Sequence, residues 1–180
     1  YQRIYTYRPD GQMFRNGDSW QASSSVIGNY WRSDYTITFF SSNFYKNRYV
    51  KNMLLGAYPN LNQFTNNNGL LTPATFLIIN DPDLDGQTHT QEFPLTKYFG
   101  SPYGMMVART GWTEPGTVNL GSDIAMAQMV IGELNSVNHQ HLDAGNFQLY
   151  YKGALTGHSG IYATYGSSHD YNYYKESISS

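Results

Sequence analysis

The run Asn138-His139-Gln140-His141, followed by Leu142-Asp143-Ala144-Gly145, holds the residues of this chain best suited to chemistry. Side chains on an extended backbone alternate with period 2, so His139 and His141, at i and i+2, point to the same side. One strand would then carry two adjacent imidazoles. His158 and His169 follow, while the first 138 residues contain only His89. Zinc accepts neutral imidazole nitrogens in tetrahedral sites, and a His-x-His pair supplies two ligands when a third group arrives from another strand. His158 is placed to do so if Gly153 to Gly157 forms the turn of a hairpin. A split pair is equally physical, with one histidine facing substrate as acid or base and the other held by a metal. A His-x-His on a solvated strand face needs neither metal nor catalysis. Spacing alone leaves these readings open.

The elements that must position these residues change character along the chain. Tyr1 to Trp20 is polar, with turn signals at Arg8-Pro9-Asp10-Gly11 and Arg15-Asn16-Gly17-Asp18, and reads as an irregular connector. Helices are expected over Ser23 to Arg32, Asp34 to Tyr45 and Asn47 to Ala57. In the last of these Val50, Leu54 and Ala57 recur at helical spacing before Pro59. After the Asn66-Asn67-Asn68-Gly69 turn, Pro73 suits the first turn of a buried helix over Thr72 to Asn80. Asp81-Pro82-Asp83-Leu84-Asp85-Gly86 lacks the glutamate and spacing of an EF-hand and reads as an exposed turn. From about Phe93 the pattern becomes strand-like: Gly104 to Trp112, Asp123 to Glu133, Gly145 to Lys152 and Ala154 to Tyr162, each bounded by Gly, Pro or Asn. Helices followed by a run of strands imply segregated parts, an α+β class, with a boundary near Glu92.

Composition narrows the partners. A chain of 180 residues is one ordinary domain or parts of two. Its 17 Tyr and nine Phe give much aromatic surface, and only 13% of residues are charged. With 11 Lys and Arg against 13 Asp and Glu, the net charge of -2 provides no global basic field for nucleic acid. A polyanion would have to meet a local patch. No apolar run approaches the roughly 20 residues of a membrane helix, and no segment has the pattern of a signal peptide. The absence of cysteine excludes disulfides and a cysteine nucleophile.

Several segments together carry a family likeness. They are Tyr98-Phe99-Gly100-Ser101-Pro102-Tyr103-Gly104, Ala108-Arg109-Thr110-Gly111-Trp112, Asn138-His139-Gln140-His141, Asp143-Ala144-Gly145, Phe147-Gln148, Tyr150-Tyr151-Lys152-Gly153 and Asn172-Tyr173-Tyr174-Lys175. They resemble the heparinase II/III-like polysaccharide lyases over most of residues 93 to 180, with weaker similarity in Arg8 to Gly11 and Phe14 to Asp18. The resemblance implies an (α/α) toroid followed by antiparallel β-sandwich sheets. Residues 1–92 would be the last toroid helices with a connector, and residues 93–180 the first strands of the central sandwich. Both parts would be incomplete, with the remainder of the toroid and sandwich as their partners, and the isolated chain is expected to turn over little or nothing.

The resemblance further implies cleavage of a uronic-acid-containing glycosaminoglycan by β-elimination, in a periplasmic or secreted bacterial protein. Donors must neutralise the uronate carboxylate, a base must take the C5 proton, and an acid must protonate the departing O4. Asn138 matches a family position near that carboxylate, and His139 the histidine that serves as base or charge neutraliser. Tyr162 and Tyr165 match aromatic positions lining the cleft. His141 matches a ligand of a structural zinc. His158 stands where the family has an aspartate, and the third ligand would lie beyond Ser180. His169 matches a histidine that could be a second acid or base, or a surface partner of Asp170. Arg109 and Lys152 are the cations nearest in sequence, suited to sulfate or carboxylate, although a strand arginine also serves as a structural ion-pair partner. Heparan sulfate is the first expected substrate, ahead of less sulfated uronans. The competing expectation is a non-catalytic carbohydrate-binding or structural β-domain. The missing toroid tyrosine favours it, and the joint presence of Asn138, His139, Tyr162 and Tyr165 opposes it.

Overall fold

The computed structural model describes residues 1–14, 33–57, 72–114, 117–133 and 144–156. Among them are four helices, α1 (Gln2–Thr6), α2 (Ser33–Phe44), α3 (Arg48–Ala57) and α4 (Pro73–Ile79). Five strands follow: β1 (Thr96–Phe99), β2 (Met105–Arg109), β3 (Ala125–Val130), β4 (Phe147–Tyr151) and β5 (Ala154–Thr156). The strands form one antiparallel sheet in the order β1-β2-β3-β4-β5. Helices and an antiparallel sheet in segregated stretches make the α+β class. The expected helix over Ser23 to Arg32 lies outside the described residues.

Local chemistry explains the helix ends. Lys46 adopts a left-handed φ of 51°, and Asn47 N–H donates to the Ser42 carbonyl at 2.8 Å, closing α2 in a single turn. The same Asn47 opens α3, its Oδ1 accepting from Val50 N–H at 3.1 Å. At α4, Thr72 Oγ1 accepts from Thr75 N–H at 3.1 Å and Pro73 occupies the first turn, so the segment is helical as expected. None of its residues is buried, and Leu77 and Ile78 are exposed, which corrects the expectation of a buried helix. Val50, Met53 and Leu54 are the buried apolar residues of α3, packing with Phe39 of α2 and Ile4 of α1. Lys51 is buried beside them. Its ammonium donates to Asn43 Oδ1 at 2.9 Å, Asn80 Oδ1 at 2.9 Å and the Asp81 carbonyl at 3.0 Å, tying α2 and α3 to the end of α4. Burial lowers the Lys51 pKa. Asp81 to Gly86 forms the exposed turn expected, anchored by an ion pair from Lys46 to Asp81 at 2.6 Å.

The sheet has two unlike faces. Met105, Val107 and Arg109 of β2 are buried, as are Met126 and Gln128 of β3 and Gln148 and Tyr150 of β4. Register places Val107, Gln128 and Gln148 in one row across the sheet, and Arg109, Met126 and Tyr150 in the next. On the opposite face Tyr98, Met106, Met129 and Phe147 form a row, with Ala108, Ala127 and Leu149 beside it. Tyr98, Met129, Phe147 and Leu149 are exposed there.

Residues 1–14 correct the expectation of an irregular connector. Gln2–Thr6 is helical, Tyr7 bridges Met13, and Arg8 clamps the intervening turn by donating to both Asp10 carboxylate oxygens at 3.1 and 2.7 Å. Gly11 has a φ of 78°, which a residue with a Cβ rarely adopts. Tyr5 and Tyr7 read as polar, but their rings are apolar and lie inside, while Tyr1 stays exposed. Tyr5 and Phe14 belong to the cluster beneath the sheet, with Met105, Val107, Met126 and Tyr150, whereas Ile4 belongs to the cluster among the helices. α1 is thus a wedge between the two halves.

The β4–β5 hairpin reverses at Tyr151-Lys152-Gly153, with Lys152 at a φ of 56°, between the strands expected over Gly145 to Lys152 and Ala154 to Tyr162. Ala154–Thr156 is already strand, so the Gly153 to Gly157 turn on which a ligand role for His158 depended is not formed.

Phe14, 2% exposed, separates a connector from a core segment. Phe14→Ala is expected to cost about 3–5 kcal/mol, as a buried aromatic truncation does. The shift of the urea midpoint at constant m value measures it, and a loss near 0.5 kcal/mol, the scale of a surface change, would contradict the packing described.

Candidate functional site

Antiparallel pairing gives the sheet two ends, and these sort the candidate residues. At one end β1 turns into β2 through Ser101 to Gly104, β3 finishes at Val130, and β4 begins at Phe147. The chain between β3 and β4, which carries Asn138, His139 and His141, leaves and returns there. Its stem is held by Val130 N–H to the Asn146 carbonyl at 2.9 Å, Gly145 N–H to the Val130 carbonyl at 2.7 Å, and Ile131 N–H to the Gly104 carbonyl at 2.6 Å. Asn138, His139, His141, His158, Tyr162, Tyr165 and His169 themselves lie outside the described residues. Among the described residues no three His, Asp or Glu side chains converge in the way a metal site requires.

Arg109 and Lys152 sit at the other end. Met105 pairs with Val130 and Arg109 with Met126, so four residue steps, about 14 Å at strand rise, separate Arg109 from the stem of the 134–143 segment along β2. Lys152 lies in the β4–β5 turn and pairs with Asp123 at 2.8 Å. That contact holds the Asp123 carboxyl below its ordinary range and the Lys152 ammonium above its own. The structure therefore brings the two cations to the same sheet end, away from the stem.

Arg109 is also enclosed, its side chain on the buried face. Its guanidinium carbon lies 3.9 Å from the Trp112 ring centroid. Nε–H donates to the Gly111 carbonyl at 2.7 Å and Nη1–H to the Tyr7 carbonyl at 3.4 Å, while Nη2 is buried with no hydrogen-bond partner among the described residues. Burial lowers the Arg109 pKa to about 10, which leaves it charged at neutral pH. A charge held by carbonyl dipoles and an aromatic face is tolerated inside because both are negative toward it.

His89 belongs to the same enclosure, although nothing in its sequence surroundings marks it. Lying in the turn-rich stretch before Phe93, it has no periodic neighbours to mark it as interior. Yet it is 4% exposed, and its ring meets Trp112 edge to face at 4.6 Å between centroids. Its Nδ1 is buried without a hydrogen-bond partner among the described residues. Trp112 is fixed in turn by its indole N–H donating to the Phe93 carbonyl at 3.2 Å, and Tyr5 packs against it at 5.1 Å. Tyr5 donates its hydroxyl to the Pro94 carbonyl at 3.0 Å. Burial, and then the Arg109 charge, push the His89 pKa down to about 4. The ring is neutral at pH 7 and not poised for acid-base exchange near that pH. This enclosure is a structural joint.

No model of a known protein family matches the chain, and no curated protein matches it. No helix among the described residues is long and apolar enough to cross a membrane.

His89 makes the joint acid-sensitive. Its folded pKa near 4 lies below the ordinary 6.5, so the unfolded chain takes up the proton first. Stability that is complete above pH 6.5 is expected to fall as pH drops toward 4, and to change no further on this account below that. Thermal melts at stepped pH measure the loss, and His89→Gln is expected to flatten that part of the curve. An unchanged slope in the variant would remove His89 as the cause.

Proposed function

We propose that this chain is part of a heparinase II/III-like polysaccharide lyase that cleaves uronic-acid-containing glycosaminoglycans by β-elimination, heparan sulfate first. The observation that carries the reading is the Asn138-His139-Gln140-His141 segment within the longer set of matching motifs. Asn138 would neutralise the uronate carboxylate and His139 would take the C5 proton, with Tyr162 and Tyr165 lining the cleft. His141 and His158 would hold a structural zinc, together with a ligand from another segment. The protein would work in the periplasm or outside the cell.

Two features of the fold support this reading. The doubly clasped stem gives the 134–143 segment fixed ends, as a catalytic segment on a rigid scaffold needs. The outer face of the sheet, with Tyr98, Met106, Met129, Phe147, Ala108, Ala127 and Leu149, presents rows of uncharged side chains. Such a face suits a second packed sheet, and therefore the sandwich. The helices α2, α3 and α4 would be the end of the toroid. A non-catalytic carbohydrate-binding domain is the second reading, favoured by the engagement of Arg109 and Lys152 away from the stem.

The test is the ultraviolet absorbance of unsaturated uronate released from heparan sulfate by the natural protein that carries this chain. Absorbance is expected to rise with the parent, and His139→Ala is expected to cut kcat about a hundredfold or more, the scale of general acid-base catalysis. A folded parent that releases no unsaturated uronate from heparan sulfate, heparin or other uronans would exclude the lyase reading.

A further inference from the structure

The β1–β2 turn is pressed against the stem of the 134–143 segment more closely than side chains would allow. Gly104 has a φ of 51°, and a Cβ there would fall 2.5 Å from Gly132 Cα. A Cβ on Gly132 would fall 2.5 Å from the Tyr103 carbonyl oxygen. Two glycines facing each other thus permit a backbone-to-backbone clasp, which the hydrogen bond from Ile131 N–H to the Gly104 carbonyl at 2.6 Å closes. The turn is stiffened from within, because Tyr103 N–H and Gly104 N–H both donate to the Gly100 carbonyl, at 3.0 and 3.2 Å.

Tyr103 stands on this clasp. It is 58% exposed, and among the described residues its side chain makes no hydrogen bond or ring contact. Single exposed aromatic residues are ordinary on protein surfaces. This one is set apart by its rigid mount and by its place against the stem of the segment proposed for catalysis. A tyrosine offers a flat apolar face and a polar tip with few rotatable bonds, so it loses little entropy when a sugar ring stacks on it.

We propose that Tyr103 is a stacking platform for one pyranose ring of an acidic polysaccharide, mounted on the glycine clasp at the β1–β2 turn. This inference rests on the reading given under Proposed function and adds a substrate-contacting residue to it. The phenyl ring, not the hydroxyl, carries the contact. Tyr45, 73% exposed just after α2 and away from the sheet, is a comparison aromatic that should take no part.

Binding of heparan sulfate oligosaccharides to the natural protein tests the platform, using the His139→Ala background so that the ligand stays intact. Tyr103→Ala is expected to weaken binding about five- to tenfold, the scale of one aromatic contact. Tyr103→Phe and Tyr45→Ala are expected to bind like their parent. In the otherwise native enzyme, Tyr103→Ala is expected to raise KM by a similar factor with kcat nearly unchanged. Equal affinity for Tyr103→Ala and its parent, or an equal loss in Tyr45→Ala, would overturn the platform. If the parent releases unsaturated uronate while Tyr103→Ala binds normally, the platform alone fails. A folded parent that neither binds nor cleaves the polysaccharide would overturn both readings.

Discussion

The Trp112 indole is the contact on which the two halves of this structure depend. It belongs with the partly buried residues around both apolar clusters, the one among the helices and the one beneath the sheet, and Phe93 is shared in the same way. Arg109 lies over its face, His89 and Tyr5 meet it edge to face, and its N–H is tied to the Phe93 carbonyl. The joint therefore mixes apolar burial with a buried cation held by carbonyls and an aromatic face. Such a charge is stable only while the aromatic face and the carbonyls of Gly111 and Tyr7 stay in place. That requirement couples β2 to residues 1–14, far away in sequence, and makes the amino-terminal wedge part of the sheet's core.

The same joint divides labour along the sheet. Side chains at the Arg109 end are committed to holding the halves together, and Lys152 is committed to Asp123. At the opposite end, the glycine clasp uses backbone alone, leaving Tyr103 exposed and the stem of the 134–143 segment fixed. Strength at one end and accessibility at the other is an arrangement suited to carrying a functional segment on a stable support.

Much of this architecture was legible in the sequence. Asn47 as a cap, Val50 and Leu54 at helical spacing, and Thr72-Pro73 mark α3 and α4 through local chemistry that tertiary contacts do not override. The strands β2, β3 and β4 show as short runs bounded by Gly, Pro or Asn, whereas the burial of Arg109 beside Val107 is visible only in the sheet. β1 was missed because four residues, Thr96–Phe99, are too few to display a period. Residues 1–14 were misread because tyrosine counts as polar in a pattern while packing as an aromatic hydrocarbon. His89 was invisible because its burial is created entirely by residues distant in sequence. The β4–β5 reversal falls between the two strands expected, but within Tyr151-Lys152-Gly153 and not across Gly153 to Gly157, because Lys152 takes a left-handed conformation usually left to glycine.

The functional account joins this support to a segment whose residue types suit proton abstraction beside a uronate carboxylate. Its central claim is elimination without consumption of water. Fragments produced from heparan sulfate by the natural protein in heavy-oxygen water, analysed by mass spectrometry, address that claim at the level of the bond broken. The account expects an unsaturated uronate at each new non-reducing end and no heavy oxygen in either fragment. Saturated fragments carrying the heavy oxygen would identify hydrolysis and contradict it.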